Sequence, residues 1–394
     1  MRQYLIKRIG QLILTLFVYV SLVYFIIQAM PGDITNMYLA NPKITPEIRE
    51  ALRHQLGLDQ NPFMQYLTYV GNFFTGNLGV SFSQYPRPVW DIIMERLPRT
   101  VVLFFAATVI SFYLGLVSGR VIAWRRGGVT DYASTVVGVI FYTAFYPLLA
   151  FILTWFFGFT LGILPINQFI DPTLWRFAPV SSNRVFWWLI VTVLAAIIVL
   201  SGIHLAGRQR IRIVWKRRAA FWSATVVTVG VGVAIWWLSG MGVYGLDIFE
   251  HVLLPVFTLT LISYGATMLM MRDSMLDTVR EDYVMAARAK GLPDKVVRDK
   301  YAARTALLPV VTSFTLSIGG VVSGGIVTET VFSWPGLGLT LFSASLSQDY
   351  PLAIGAFAFT GVFVLVAHLV ADILYAVLDP RITYARGGTE AAGA

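Results

Sequence analysis

The sequence contains no cysteine, and this absence excludes disulfide bonds and thiolate metal sites. Charged side chains are also scarce, since they make up 13% of the 394 residues whereas apolar residues make up 57%. Soluble domains carry roughly 25% charged residues, so the composition excludes an ordinary soluble protein. It indicates a polytopic membrane protein whose helices satisfy their own backbone hydrogen bonds in lipid.

Several catalytic motifs are missing as well. The dipeptide Gly-Lys does not occur, so the chain has no phosphate-binding loop of the form G-x-x-x-x-G-K-[ST] and cannot bind ATP in that manner. Only four histidines are present, and neither H-E-x-x-H nor G-x-S-x-G is found, which leaves protease and hydrolase chemistry unsupported. We therefore expect a chain that is not an enzyme and holds no cofactor or metal of its own.

Acidic residues are fewer than basic ones, 21 against 30. In a membrane protein this excess of Lys and Arg marks cytoplasmic loops, so we expect no nucleic acid partner. Eight charge-free runs have about the length that a bilayer requires. They predict eight spanning helices, at residues 9–32, 100–119, 133–165, 185–207, 219–246, 251–271, 305–328 and 350–371. The first run is longer than the apolar core of a signal peptide, so we expect it to be retained.

The orientation follows from the distribution of positive charge. With the N-terminus inside, the inner segments hold 22 of the 30 basic residues, which predicts that both termini are cytoplasmic. One pair of spans flanks the segment RQRIRIVWKRR at 208–218, and this segment favours either a loop between two spans or a basic hairpin at the membrane surface. Tryptophans at the far ends of both runs favour two true spans.

The first outer loop, residues 33–99, has nearly balanced charge and a helical pattern at 46–56. These features predict a folded cap rather than a flexible tail. The cap serves either as a structural lid on the helices or as a docking surface for an external protein. The C-terminal residues 383–394 are small and polar, and we expect them to be disordered.

The inner loop at 272–304 is the most informative segment. Val279, Tyr283, Ala286 and Ala287 share one helical face, and Gly291 suits the left-handed position that ends a helix. Residues 293 and 294 suit the first turn of a second helix. The apolar face of the first helix either packs on this protein's own inner surface or inserts into a groove on a partner.

The sequence also contains segments that resemble those of a known family. The segment M-A-A-R-A-K-G at 285–291, followed by Leu308 and Pro309, is similar to the cytoplasmic EAA loop of ABC importer permeases. Other segments resemble the first permease of dipeptide and oligopeptide importers, namely Y-L-I-K-R-I, A-M-P-G-D, L-G-L-D, E-R-L-P-R-T, E-T-V-F-S-W-P-G-L-G, D-Y-P-L and D-I-L-Y-A-V-L-D-P-R. The resemblance covers residues 1–170 and 250–382. Met285 stands where the wider motif has Glu.

The resemblance implies an all-α polytopic membrane protein with the type I ABC importer permease fold, in which two helices are added to a six-helix core. The chain then divides into a first helix, an outer loop, helices two and three, an inserted pair and the permease core, at 1–32, 33–99, 100–172, 173–246 and 247–382. The implied partners are a second homologous permease subunit, two cytoplasmic ATPases that hold ATP and Mg, and an extracytoplasmic binding protein. The implied location is the cell membrane. The implied substrate is a peptide, with oligosaccharides, nickel and glutathione left open.

The resemblance also implies site residues. The residues that would couple the permease to an ATPase are Tyr283, Ala286, Ala287, Arg288 and Gly291. A second site lies after the seventh predicted span, where proline and glycine cannot continue a regular helix and the chain should turn beside the translocation pathway. Its residues are Glu329, Ser333, Trp334 and Pro335. Glu329 either attracts cationic groups of the substrate or braces the turn by hydrogen bonds.

Two further features bear on other functions. His368 and Asp372 lie one helical turn apart, which suits either a structural hydrogen bond or the proton relay of a proton-coupled secondary transporter. The small residues at 319–325 form a surface that favours close helix packing over a ligand site.

Overall fold

The computed structural model describes residues 2–29, 61–210, 214–321 and 325–378, and most of these residues are helical. The predicted helix at 46–56 and the predicted tail at 383–394 lie outside the described residues. So do the side chain of Asp372 and most of the small-residue surface at 319–325.

The helices are, in chain order, α1 (Arg2–Ala29), α2 (Pro62–Phe74), α3 (Val89–Trp124), α4 (Val129–Thr143), α5 (Tyr146–Leu153), α6 (Pro172–Trp175), α7 (Ser182–Arg210), α8 (Val214–Leu238), α9 (Gly242–Thr278), α10 (Asp282–Ala289), α11 (Asp294–Val296), α12 (Ala303–Val321), α13 (Ile326–Val331), α14 (Leu337–Leu346) and α15 (Tyr350–Leu378). Two π-helical segments, Thr154–Thr160 and Val297–Ala302, continue α5 and precede α12. The predicted all-helical architecture is confirmed.

Six of the described helices, α1, α3, α7, α8, α9 and α15, are long and apolar enough to cross a bilayer. The number rises to seven if α4 and the helix from Tyr146 to Thr160 count as one broken span. The seventh predicted span, residues 305–328, corresponds to α12, which is a helix of 19 residues. About eight spans is consistent with these helices.

The third predicted span differs from the straight helix that a continuous apolar run suggested. The chain bends by 108° between α4 and α5. Ala144 has an extended backbone at the end of α4, with ψ of 134°. Pro147 lies in the first turn of α5, and proline both lacks an N–H and disfavours helix in the residue before it. The apolar run therefore forms two helices that meet at a sharp corner.

Helix α3 has 36 residues and is about 54 Å long. It begins at Val89, so residues 89–99, which we placed in the outer loop, are helical. The charges of Glu95, Arg96 and Arg99 favour a boundary after residue 99, but these side chains pair with one another or approach the carbonyl of Pro335, so they do not end the helix.

Helix α3 packs closely on α9 through two glycines one turn apart. A Cβ at Gly115 would lie 2.7 Å from Cβ of Thr267, and a Cβ at Gly119 would lie 2.7 Å from the backbone oxygen of Met268. These distances are too short for any larger residue. The pair therefore forms a small-xxx-small contact that lets the two backbones approach.

The chain divides into two compact units, residues 1–152 with 255–394, and residues 153–254. The first unit has two buried clusters that involve opposite ends of α3. One joins the start of α3 to α14 and α15 and includes Ile92, Ile93 and Phe359. The other joins the C-terminal ends of α3 and α9 to the N-terminal end of α12 and to α10. It includes Met271 and Val284.

The second unit contains α6, α7, α8 and the start of α9. Asp247 organises one end of it, because its carboxylate accepts hydrogen bonds from the indole of Trp175 at 2.7 Å and from the backbone N–H of Asp171 at 3.2 Å. Trp236 donates to the hydroxyl of Thr192 at 3.1 Å and so joins α8 to α7. The most apolar stretches of α7 and α8 bury none of their residues within this chain, as expected for helices that face lipid or a partner.

Candidate functional site

The inner loop forms the short helix and the sharp corner that its sequence predicts. Helix α10 begins after Glu281, which has an extended backbone, and it ends before Gly291, which adopts a left-handed conformation with φ of 72°. No atom lies within 4 Å of the position that a Cβ at Gly291 would occupy. The left-handed backbone, and not a lack of space, is therefore what favours glycine there.

One face of α10 is anchored on the protein's own helices. Val284 and Ala287 are buried, and they pack in the cluster that contains Met271 and Met275 of α9 and Ala306 of α12. The resemblance implies that Ala287 meets a partner, but its side chain is only 3% exposed. Ala287 packs inward because α10 lies against the ends of three long helices, which a helical pattern alone does not reveal.

The opposite face of α10 is exposed. It carries Met285, whose side chain is 53% exposed, together with Ala286 and Ala289. Ala289 follows Met285 by four positions and Ala286 by three, so it lies one turn from each and the three side chains share one face. Tyr283 lies at the edge of this face, and its hydroxyl donates to Thr305 at 2.9 Å. Asp282, in the first turn of α10, is also exposed on this face, so the face is small, largely apolar and acidic at its first turn, and the helix is anchored by the buried side chains opposite.

Charged residues around α10 have defined partners. The guanidinium of Arg288 lies 4.8 Å from the ring centre of Trp124, at the end of α3. Such cation–π contacts hold a cation in place at partly exposed sites. Arg298 donates two hydrogen bonds to the carboxylate of Asp299, at 2.7 and 3.0 Å, and these bonds lower the pKa of Asp299 below its ordinary value. Asp299 therefore stays ionised at neutral pH.

The second predicted site is a turn closed around a buried carboxylate. Helix α13 ends at Val331 and α14 begins at Leu337, so the predicted break at 333–336 is confirmed. Glu329 is fully buried. Its Oε1 accepts a hydrogen bond from Thr100 of α3 at 2.7 Å, and its Oε2 accepts one from the backbone N–H of Leu339 at 2.9 Å. The carboxylate thus joins α3 to the start of α14.

Glycine at 336 makes this arrangement possible. A Cβ at this position would overlap the Glu329 carboxylate and the hydroxyl of Thr100. The Thr100 hydroxyl also accepts the backbone N–H of Leu337 at 2.8 Å. Three parts of the chain therefore converge on one small polar cluster with no room for a larger side chain.

The other residues predicted here differ in exposure. Trp334 is fully buried, and its indole N–H donates to the backbone oxygen of Arg99 at 3.1 Å. Ser333 is exposed and has a positive φ of 49°, which is uncommon for a residue other than glycine. Pro335 is half-buried, and its carbonyl oxygen lies 3.4 Å from Arg96 Nη1 and 3.5 Å from Arg99 Nη1. The turn is therefore anchored on α3 by several independent contacts.

A second buried carboxylate close to α14 was not singled out as a site. Asp349 is fully buried and accepts hydrogen bonds from the hydroxyl of Ser81, from the backbone N–H of Ser83 at 2.9 Å and from the hydroxyl of Ser83 at 2.6 Å. It thus ties the segment before α3 to the segment before α15. The only signal in the sequence was its place in the motif D-Y-P-L, which says nothing of its partners.

None of these carboxylates forms a metal site. Within the part of the chain that the structure describes, no group of three or more His, Asp or Glu side chains could hold a metal ion. Glu329 and Asp349 are buried carboxylates that accept hydrogen bonds, and α10 presents an exposed, largely apolar face beside cations. Such an arrangement suits binding and mechanical coupling.

Comparison with known proteins assigns the family. Residues 111–384 match the family described as binding-protein-dependent transport system inner membrane component, and residues 1–104 match the N-terminal region of such membrane components. The di/tripeptide transport system permease protein DppB of Pseudomonas aeruginosa is 30% identical over 386 residues, which cover 98% of this chain and 100% of that protein.

Two further relatives agree. The dipeptide transport system permease protein DppB of Lactococcus lactis is 29% identical over 97% of this chain and 99% of its own length. The oligopeptide transport system permease protein AppB of Bacillus subtilis is 29% identical over 98% of this chain and 100% of its own length. The chain therefore belongs to the family of inner membrane components of binding-protein-dependent transport systems, as a multi-pass permease subunit.

Proposed function

We propose that this permease subunit serves an ATP-driven importer of dipeptides or oligopeptides, in which it forms half of the translocation pathway. The names of its relatives support a peptide substrate over oligosaccharides, nickel or glutathione. The family works with a binding protein, which supports ATP-driven import over proton-coupled secondary transport. The missing phosphate-binding loop supports an ATPase on separate subunits, which would hold ATP and Mg.

The exposed face of α10 is the observation that carries the coupling role. Met285, Ala286 and Ala289 form an apolar surface on a helix whose other face is fixed by Val284 and Ala287. A short helix with an apolar face fits into a groove on a partner, and a rigid base transmits its movement. We propose that this face docks on an ATPase, while Ala287 holds the helix in place from behind.

The remaining coupling residues have supporting roles in this proposal. Tyr283 lies at the rim of the docking face and is tied to Thr305 of α12. Arg288 links α10 to the end of α3 through Trp124. Gly291 turns the chain toward α11. A displacement of α10 by the ATPase would therefore be transmitted to both α3 and α12.

The assembly that we propose contains two ATPases, a second homologous permease and an extracytoplasmic binding protein. Both termini would be cytoplasmic, because that orientation puts most basic residues on the inner side. The turn at 333–336 would lie on the outer side of the same subunit. There, Glu329 would act as a brace beside the pathway rather than as a charge exposed to substrate, since it is fully buried.

Replacement of Ala286 by Trp tests the docking role. The residue is exposed, so the larger side chain fits this chain without strain but would collide with a filled groove. We expect the permease to reach the membrane in normal amounts, and to lose most of the co-purified ATPase and of the peptide-stimulated ATP hydrolysis. The measurements are co-purification and hydrolysis with the other subunits of the transport system.

A matched control is Ala195→Trp, at an exposed position of α7. This variant should retain the ATPase, because the added side chain would face lipid. Normal ATPase retention by Ala286→Trp would reject the docking face. Loss by both variants would point to a general effect of a bulky residue.

A further inference from the structure

The cavity between α7 and α8 is unexplained by the proposed function. It has a volume of about 550 Å³ and lies where α7 ends and α8 begins. Its wall is largely aliphatic and aromatic. It also carries three side chains that can bind an anion, namely His204, Arg217 and Arg218. The ring of Phe221 meets His204 edge to face at 5.6 Å between ring centres, which fixes one side of the cavity.

The positive charges at the cavity end of α7 and α8 have no acidic residues near them in the sequence. Six basic residues lie between positions 208 and 218, whereas no Asp or Glu occurs from residue 172 to residue 246. Among the described residues, neither Arg217 nor Arg218 forms an ion pair. A concentration of cations without local anions requires an anion from outside the hairpin.

The position of the cavity along the helices identifies the source of that anion. Trp236 and Trp237 lie near the far end of α8, and Arg218 is separated from Trp236 by 18 residues, or about 27 Å of helix. This distance nearly equals the thickness of the hydrocarbon core, about 30 Å. Because tryptophan prefers the membrane interface, the cavity lies at the level of the opposite headgroups.

We propose that this cavity binds the headgroup of an anionic phospholipid. The phosphate would lie between Arg217, Arg218 and His204, where guanidinium groups match phosphate oxygens in geometry and charge. The acyl chains would run along the aliphatic and aromatic wall that Ile203, Phe221 and Trp222 provide. Basic pockets between membrane helices at the cytoplasmic side are suited to such headgroups.

The test uses the full chain purified with its partner subunits. The double variant Arg217→Gln/Arg218→Gln removes two charges while keeping polar side chains. Each basic residue near a lipid surface strengthens binding several-fold, so the double variant should bind phosphatidylglycerol about 30-fold more weakly at its tightest site. Native mass spectrometry of the complex, titrated with phosphatidylglycerol or with phosphatidylcholine, measures this affinity.

Two control variants separate the specific site from general charge effects. Arg125→Gln/Arg126→Gln removes two neighbouring exposed cations elsewhere in the chain and should leave the tightest site unchanged. Arg217→Lys/Arg218→Lys keeps the charge and should restore most of the affinity, and it remains informative if the Gln variant fails to assemble. Phosphatidylcholine should show no comparable tight site, because its headgroup has no net charge.

Four results would overturn the proposal. The first is an equal loss of phosphatidylglycerol affinity in the two Gln double variants, and the second is unchanged phosphatidylglycerol binding in Arg217→Gln/Arg218→Gln. The third is release of the lipid by millimolar inorganic phosphate, which would indicate that the site binds a soluble anion. The fourth is loss of a partner subunit with lipid binding intact, which would assign the cations to an acidic protein surface.

Discussion

At the scale of single residues, Glu329 defines the outer turn because it is a carboxylate with no exposure to solvent. Burial of a charge is costly unless hydrogen bonds satisfy it. The hydroxyl of Thr100 and the backbone N–H of Leu339 provide those bonds, one to each oxygen. Gly336 leaves the space in which they meet. The arrangement suits a fixed joint between α3 and α14 better than a charge that contacts passing substrates.

This view predicts the effect of Glu329→Gln. The amide replaces one acceptor oxygen by a donor, so one of the two hydrogen bonds is lost and the unfolding free energy should fall by about 1–3 kcal/mol. Because the carboxylate is buried, uptake of cationic, neutral and anionic peptides should fall by the same factor. Thermal unfolding and competitive uptake measure the two effects.

The exposed carboxylate Glu250 offers the control. Glu250→Gln should change neither quantity, since its side chain is not buried. A selective loss of cationic substrates in Glu329→Gln, with stability unchanged, would contradict the brace and support a direct role in selectivity.

At the scale of elements, α3 connects the two candidate sites. Thr100 bonds to Glu329 in the outer turn, and Ala123 belongs to the buried cluster behind α10. The 23 residues between these two positions span about 35 Å of helix, slightly more than the hydrocarbon core. Helix α9 packs along α3 through Gly115 and Gly119. The pair is therefore a stiff connection between the coupling loop and the outer turn.

Replacement of Gly115 by Leu tests this connection. A Cβ alone would lie 2.7 Å from Cβ of Thr267, so a larger side chain must separate α3 from α9. We expect a cost of about 1–3 kcal/mol, typical of overpacking, and a lower yield of assembled complex. Thermal unfolding and size-exclusion chromatography in detergent provide the measurements.

Gly202 of α7 is the matched control, because no atom lies within 4 Å of the position of its Cβ. Gly202→Leu should assemble and unfold like the unmodified chain. If Gly115→Leu also did so, the close contact of α3 with α9 would not contribute to stability.

At the scale of the whole molecule, the two compact units differ in how they bury apolar surface. The first unit has two buried clusters and contains both candidate sites. The second unit leaves the apolar faces of α7 and α8 open, as suits a hairpin surrounded by lipid or by a partner. It contains all of the residues at 173–246 that we interpret as an insertion into the permease core.

The topology of this hairpin can be tested directly, because the chain has no cysteine. Single cysteines at Ser181 and Arg212 should differ in their reaction with a membrane-impermeant thiol reagent on intact cells. We expect labelling at 181 but not at 212, since the positive segment should remain cytoplasmic. The reverse pattern would contradict the eight-span arrangement, and permeabilised cells provide the control for accessibility.

The sequence by itself determined the class of the protein, the approximate places of the spans, the short helix that ends before Gly291 and the break after Val331. These features depend on hydropathy and on the backbone preferences of glycine and proline, which act over a few neighbouring residues. The family also followed from the sequence, because its motifs are long and occur in order.

Only the tertiary structure decided which face of α10 is free, how far α3 extends and which groups bond to Glu329. Ala287 shares its helical stripe with exposed neighbours, and its burial depends on the ends of α9 and α12. Thr100 lies 229 positions from Glu329 in the chain. Such contacts join distant segments, and a local pattern contains no information about which segments meet.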